Sequence, residues 1–168
     1  CRWVARPAPA AWLTSSLLAT PIRRTRVAVE FFAMIDPSLL VRRRSRISGW
    51  GVYTRSAITK NTRIIDYAGE LITHSQSARR ERRQLAKGCI WCFTVNRRYV
   101  RDASVGGNLA RFINHACRPN CYSRVIDHTI WICASRNIAA GEELTYDYHT
   151  DGEAVIPCRC RPGCPTRL

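Results

Sequence analysis

Apolar residues come in short bursts along the chain, separated by glycine, asparagine, aspartate and arginine, and no long stretch keeps the period of an amphipathic helix. The pattern predicts a mainly β chain with short helices, and the lack of an alternating strand-and-helix rhythm disfavours a doubly wound sheet. Residues 64–72 read as one apolar strand bent at Gly69, and residues 77–87 as a short, highly charged helix facing water. Residues 90–95 and 99–102 flank Asn96, Arg97 and Arg98 as a hairpin, and residues 122–126 and 129–135 flank Asp127 and His128 as another. In that second hairpin Ile130 and Ile132 share one face, and His128 is a turn residue. Residues 142–148, EELTYDY, alternate as a strand that ends in two tyrosines.

Two stretches break the pattern in ways that suggest chemistry. In residues 108–121, NLARFINHACRPNC, Leu109, Phe112 and Ile113 have helical spacing, but Asn114, His115, Cys117, Asn120 and Cys121 then crowd polar and sulfur groups at the helix exit, with Pro119 pinning the turn. A capped helix end accounts for Asn114 and Pro119 but not for the whole set. In residues 42–53 a basic run, read as a solvated edge, leads into ISGWGVY, where Gly49 and Gly51 let the backbone turn tightly and approach a ligand closely. No strand-GxGxxG-helix unit follows, so a dinucleotide fingerprint is excluded. Residues 1–36 show no sustained period and read as a disordered leader or an over-extended start, with Met34, the single methionine, as the expected first residue of the functional protein.

Composition narrows the picture. A chain of 168 residues with 46% hydrophobic residues supplies one domain and a tail with an ordinary core. Lysine plus arginine number 27 against 12 acidic residues, a net charge of +15 that favours polyanions such as nucleic acid or acidic protein faces. Only Lys60 and Lys87 of the basic residues are lysine, a skew that GC-rich coding also produces, so charge alone is a weak guide to a partner. Nine cysteines, an odd number, fit reduced thiols with a metal better than a disulfide framework, which points to an intracellular setting. The apolar stretch at residues 8–19 is too short and too polar to span a bilayer.

GWGVY, DYAGE, RFINHACRPNC, GEELTYDY and the cysteine tail CRCRPGC follow one another in this order along the chain. In that order they resemble the SET-domain protein-lysine methyltransferases, closest in wording to the trithorax-type branch, over residues 47–164. The resemblance implies a SET-domain fold of small curved sheets with a knot-like C-terminal crossing, a catalytic domain over residues 37–150 and a post-SET zinc-binding tail over residues 151–168. It implies S-adenosylmethionine as methyl donor, held by Ser48, Gly49, Trp50, Gly51, Asn114 and His115. It further implies Tyr148 as the catalytic hydroxyl at the methyl-transfer centre and Tyr146 beside the lysine nitrogen, where family members carry tyrosine or phenylalanine.

The chemistry agrees with this assignment. A lysine amine must shed its proton and align with an activated carbon, and an aromatic channel desolvates a cation while packing its aliphatic stem. Tyr67, Trp91 and Phe93 are the expected channel wall together with the two tyrosines. Cys117, Cys158, Cys160 and Cys164 form the four-thiolate complement of a structural zinc, expected to pin the tail over residues 108–121 and close one wall of the substrate channel. Cys121 is the spare, and Cys89, Cys92 and Cys133 are expected to be small core residues. Two features depart from the family's usual wording: tryptophan stands at Trp91 where related sequences carry tyrosine, and the tail spacing is one residue shorter.

The expected activity is methyl transfer to a protein lysine, mainly a single methyl, on a histone or another DNA-associated protein, in the cytoplasm or at the chromosome. The alternatives are a catalytically inactive SET-fold module that binds protein or nucleic acid, and a zinc-binding nucleic-acid protein. Retention of Asn114, His115 and Tyr148 speaks against the first, and the lack of paired CxxC knuckles against the second. A chain of +15 also repels a free basic tail, so either such a tail is presented on nucleic acid or an acidic protein, or the target is another kind of protein.

Overall fold

Short strands carry the architecture, as the alternation predicts. A computed structural model describes residues 34–150 and 156–168. The expectation for residues 1–33 lies outside the described residues. At Met34 the chain already bridges to Arg63, the Ile35 amide donates to the Arg63 carbonyl at 3.2 Å, and Asp36 caps a single 3-10 turn at Pro37–Leu39.

Strand β1 (Leu40–Arg44) runs antiparallel to β2 (Trp50–Thr54). The arginine run read as a solvated edge is therefore a strand. A row of like residues hides the period, and the strand is fixed by cross-strand stacking, with the Arg42 and Arg44 guanidiniums 4.6 and 4.4 Å from the Trp50 ring.

The apolar run at residues 64–72 is not one bent strand but two. Strand β3 (Arg63–Asp66) and strand β4 (Glu70–Thr73) enter different sheets. At Gly69 the backbone crosses so close to its neighbours that a Cβ would stand 2.5 Å from the Asp102 carbonyl oxygen.

Helix α1 (His74–Leu85) starts earlier than its charge pattern suggests, because Thr73 and Gln76 form a reciprocal capping box. Strands β5 (Cys92–Thr94) and β6 (Tyr99–Asp102) form the expected hairpin, and the sheet order is β4-β6-β5. Leu109–Phe112 is a 3-10 turn rather than an α-helix, and it passes directly into β7 (Asn114–His115).

Strands β8 (Cys121–Ile126) and β9 (Thr129–Ala134) form the second hairpin, closed by Asp127 and His128 with φ of 46° and 61°, the left-handed pair of a tight hairpin turn. Ile130 and Ile132 are fully buried on one face of β9, which lies between β8 and β3. They join Ile64, Ile113, Ile138, Leu144 and Val52 in the core. Strand β10 (Thr145–Tyr146) is shorter than residues 142–148 suggest and pairs in parallel with β7, which sets the two chemistry-bearing segments side by side.

One polar group in this core locks α1 to the sheet. The Asp102 carboxylate, 0% exposed, accepts hydrogen bonds from Arg80 (2.9 Å), Gln84 (3.0 Å) and the Ser104 amide (2.9 Å). Burial pushes its pKa up, but these donors outweigh it and hold the group below the usual carboxylate range. Asp102→Ala leaves Arg80 and Gln84 without their shared acceptor and is expected to cost about 3 kcal/mol, measured as a fall in urea midpoint.

Glu142 adds to the acid response. It accepts from Arg136, Asn120 (3.0 Å) and the Ala139 amide (3.0 Å). The Arg136 guanidinium first, then Asn120, bring its pKa down to about 2. A carboxyl depressed in the folded state stabilises fully above its unfolded pKa and loses that contribution as pH falls through the folded one. Stability is expected to decline from about pH 4.5 toward pH 2, and Glu142→Gln to flatten that decline in thermal melts taken across this range.

Candidate functional site

Two clefts meet at one tyrosine. The first, about 420 Å³, is lined by Ser48, Gly49, Trp50, Asn114, His115 and Tyr148 among others. Its floor is organised by Asn114, whose Nδ2 donates to the Ser48 carbonyl (3.3 Å), the Trp50 carbonyl (3.0 Å) and Glu143 Oε1 (2.9 Å). Glu143 Oε2 in turn accepts from the Tyr53 hydroxyl at 2.8 Å.

Gly51, expected to contact the donor, does not line this cleft. A Cβ there would stand 2.2 Å from Glu143 Oε1, so the glycine makes room for the carboxylate that holds Asn114. Glu143 was not singled out in the sequence. The available signal is its place in EELTYDY, next to the fully buried Leu144.

The rim of the first cleft alternates cations and rings. The Arg42 guanidinium lies 4.9 Å from Phe112, and Arg111 lies 4.7 Å from Phe112 and 5.4 Å from Trp91. Trp91, expected in the substrate channel, lines this first cleft instead, and its carbonyl accepts from the Tyr67 hydroxyl at 3.0 Å.

The second cleft, about 500 Å³, has an aromatic wall of Tyr67, Phe93, Tyr146 and Tyr148. Neighbouring ring centroids are 5.4 Å apart for Tyr67 and Phe93, 6.0 Å for Phe93 and Tyr146, and 4.8 Å for Tyr146 and Tyr148. Burial pushes the pKa of each of the three tyrosines upward, so all are neutral phenols at physiological pH.

Cys89, Ile90 and Tyr148 line both clefts. Cys89 and Cys92 are thus half-buried cleft residues rather than core residues, whereas Cys133 and Cys121 are buried as core positions. The helix-to-strand connection places Cys89 there, and its composition carries no sign of it.

Tyr148 is held from both ends. Its hydroxyl donates to the Ile113 carbonyl at 2.8 Å, and its amide donates to His115 Nδ1 at 3.3 Å. Burial lowers the His115 pKa, outweighing the Asp147 carboxylate 3.6 Å from Nδ1. A neutral ring that accepts at Nδ1 carries its proton on Nε2, which faces Cys117 Sγ at 3.6 Å.

Cys117, Cys158, Cys160 and Cys164 bring their sulfurs within 4.8 Å of one another. Sγ separations are 3.9 Å for Cys117 and Cys158, 3.6 Å for Cys117 and Cys164, and 3.8 Å for Cys160 and Cys164. Tetrahedral zinc with bonds of about 2.3 Å requires sulfurs roughly 3.8 Å apart, so the donor set fits that ion. Amide and hydroxyl hydrogen bonds from Thr166 hold the Cys164 thiol down at about 6, favouring the thiolate a metal needs.

The tail folds back on itself, with the Ile156 and Leu168 main chains exchanging hydrogen bonds of 3.3 and 2.9 Å. Ile156, Pro157, Cys158, Arg159 and Leu168 close a wall of the first cleft. The tail was expected on the substrate channel. Among the described residues none from the tail lines the second cleft.

Comparison with known proteins identifies similar sequences. A family model described as SET domain matches residues 49–149. The chain is 44% identical over 131 residues to "Histone-lysine N-methyltransferase, H3 lysine-4 specific" of Yarrowia lipolytica, covering 72% of this chain and 11% of that protein. It is 46% identical over 124 residues to "Histone-lysine N-methyltransferase trithorax" of Drosophila melanogaster, covering 70% and 3%. It is 42% identical over 126 residues to "Histone-lysine N-methyltransferase 2D" of Homo sapiens, covering 70% and 2%. The matched stretch thus makes up 11% or less of each of these relatives.

Proposed function

From the premise that the chain belongs to the SET-domain family, we propose that it is a protein-lysine N-methyltransferase that uses S-adenosylmethionine. The observation that carries the reading is the meeting of the two clefts at Tyr148. A donor in the first and a lysine in the second would approach one point, and an in-line displacement requires them to align there. The bound donor supplies a methyl activated on a sulfonium, which passes to the amine nitrogen while the electron pair of the breaking bond stays on sulfur.

The chain's own residues position and desolvate. Ser48, Gly49, Trp50, Asn114 and His115 would hold the donor, and Cys117, Cys158, Cys160 and Cys164 would hold a structural zinc that keeps the tail wall in place. Tyr67, Phe93 and Tyr146 pack the lysine stem and strip water from its ammonium, which favours loss of the proton. Tyr148 commits its only hydrogen to Ile113, so its oxygen presents lone pairs as an acceptor that aims the amine.

The substrate is a histone or other chromosome-associated protein, and the site of action is the chromosome, as the similarity to histone-lysine methyltransferases suggests. The net charge of +15 supports attraction to the nucleic acid there. No described helix is long and apolar enough to cross a membrane. Incubation with labelled methyl donor and core histones or a cell lysate, followed by mass spectrometry of labelled bands, tests the reading; absence of labelled lysine from every fraction would refute it.

A single methyl is the main product in this reading. Tyr146 is 4% exposed, lines the second cleft and packs between Phe93 and Tyr148, so its hydroxyl takes up room a methylated nitrogen needs. Rejection of one methyl by a shaped pocket is worth roughly 10- to 200-fold. Tyr146→Phe is expected to raise di- and trimethyl product without abolishing the first transfer, read by mass spectrometry of a peptide time course.

A further inference from the structure

Helix α1 sorts its side chains onto three faces. Ser77 and Gln84 are buried, and Arg80 and Gln84 bond Asp102 on the sheet side. Arg79, Arg82 and Arg83 are exposed to solvent. Glu81 and Leu85, one helical turn apart, line the second cleft, which continues through Cys89.

Among the described residues Glu81 is the one carboxylate that lines that cleft, and no described lysine or arginine lines it. The adjacent Arg80 does not neutralise it, because that guanidinium is engaged by Glu70 at 2.7 Å and Asp102 at 2.9 Å. Glu81 makes no ion pair among the described residues, and after burial and Asp102 its charge adds to the rise of the Cys92 thiol's pKa. A half-buried, unpaired carboxylate is thus aimed into an aromatic slot of a chain whose net charge is +15. The last turn of α1 borders the same slot and adds the negative end of the helix dipole.

We propose that Glu81 is a specificity-determining residue of the second cleft, receiving the guanidinium of an arginine that neighbours the target lysine in the substrate. The assignment rests on the lysine-methyltransferase reading. The target lysine itself is a poor partner for Glu81. A carboxylate bound to its nitrogen would hold on the proton that must leave before methyl transfer, whereas arginine stays charged throughout and matches a carboxylate with two donors. The net charge of +15 otherwise disfavours a basic peptide, so this acid sets the register in which such a peptide enters the second cleft.

The test uses the full chain and a set of fluorescent lysine peptides in which one arginine walks through the flanking positions, against a neutral-flank peptide. Peptide binding is read by anisotropy without donor, and turnover separately. In the wild type one arginine position should bind roughly 10-fold tighter than the neutral peptide, and Glu81→Gln should erase that gain through Kd and KM with kcat unchanged. Glu81→Arg should invert the preference toward a glutamate at the same position, which a merely structural role would not do. Equal loss for neutral and arginine-flanked peptides, or no preferred arginine position in the wild type, overturns the assignment. Selective binding without any methyl transfer would leave Glu81 its role and refute the methyltransferase reading instead.

Discussion

Cys164→Ser is expected to release the metal and to abolish methyl transfer while the strands remain folded. The four sulfurs belong to two places far apart in sequence, Cys117 after β7 and the other three in the tail, so a bound ion would be the strongest link between them. Structural zinc bound by such a set contributes an apparent 10–16 kcal/mol, roughly, at neutral pH, and loss of one thiolate removes much of it. The core does not depend on that link, because Ile64, Ile113, Ile130, Ile132 and Leu144 are buried by the sheets and not by the tail. The first cleft does depend on it, since Ile156, Pro157 and Leu168 form part of its wall. Donor affinity should therefore fall by about 100-fold or more, while peptide binding in the second cleft changes little. Metal analysis of the reduced protein, donor calorimetry and circular dichroism separate these effects. Purified protein without zinc, or full donor affinity after strong chelation, would contradict the expectation.

Tyr148→Phe is expected to keep donor binding and to lower turnover about 100-fold or more. The hydroxyl does not act as a base, because burial raises its pKa further above neutrality. In the proposed mechanism its work is orientation. One fixed acceptor in a water-poor site, aimed by the bond to the Ile113 carbonyl, is worth about 3 kcal/mol when it acts only as the amine closes on the methyl. The ring would remain in the phenylalanine variant, so its contacts with Tyr146 and His115, at 4.8 and 5.5 Å, and both cleft walls persist. Single-turnover rates beside calorimetric donor affinity test the split. An unchanged rate would move the chemistry to another group.

The sequence by itself singles out the residues the proposed chemistry calls for, because that chemistry is local in type. Asn114 with His115, the two tyrosines at 146 and 148, and four cysteines available as thiolates can be named without knowing where they lie. It also determined the two hairpins, since Ile130 and Ile132 alternate around Trp131 and the turn at Asp127 and His128 is short. Tertiary structure decided which wall each residue joins. Trp91 lies on the first cleft and Phe93, two residues on, lines the second, a division fixed by where the backbone passes between clefts and not by residue type. Gly51 looks like a ligand-binding glycine until Glu143 is seen filling the space of its missing Cβ. The arginines of β1 hide a strand because a run of like residues has no period, and stacking on Trp50 and Phe112 from other segments holds them. Glu81 reads as one charge in a charged helix. The fold sets it on the second cleft, turns Arg80 toward the fully buried Asp102, 22 residues away, and gives Glu81 no ion pair among the described residues.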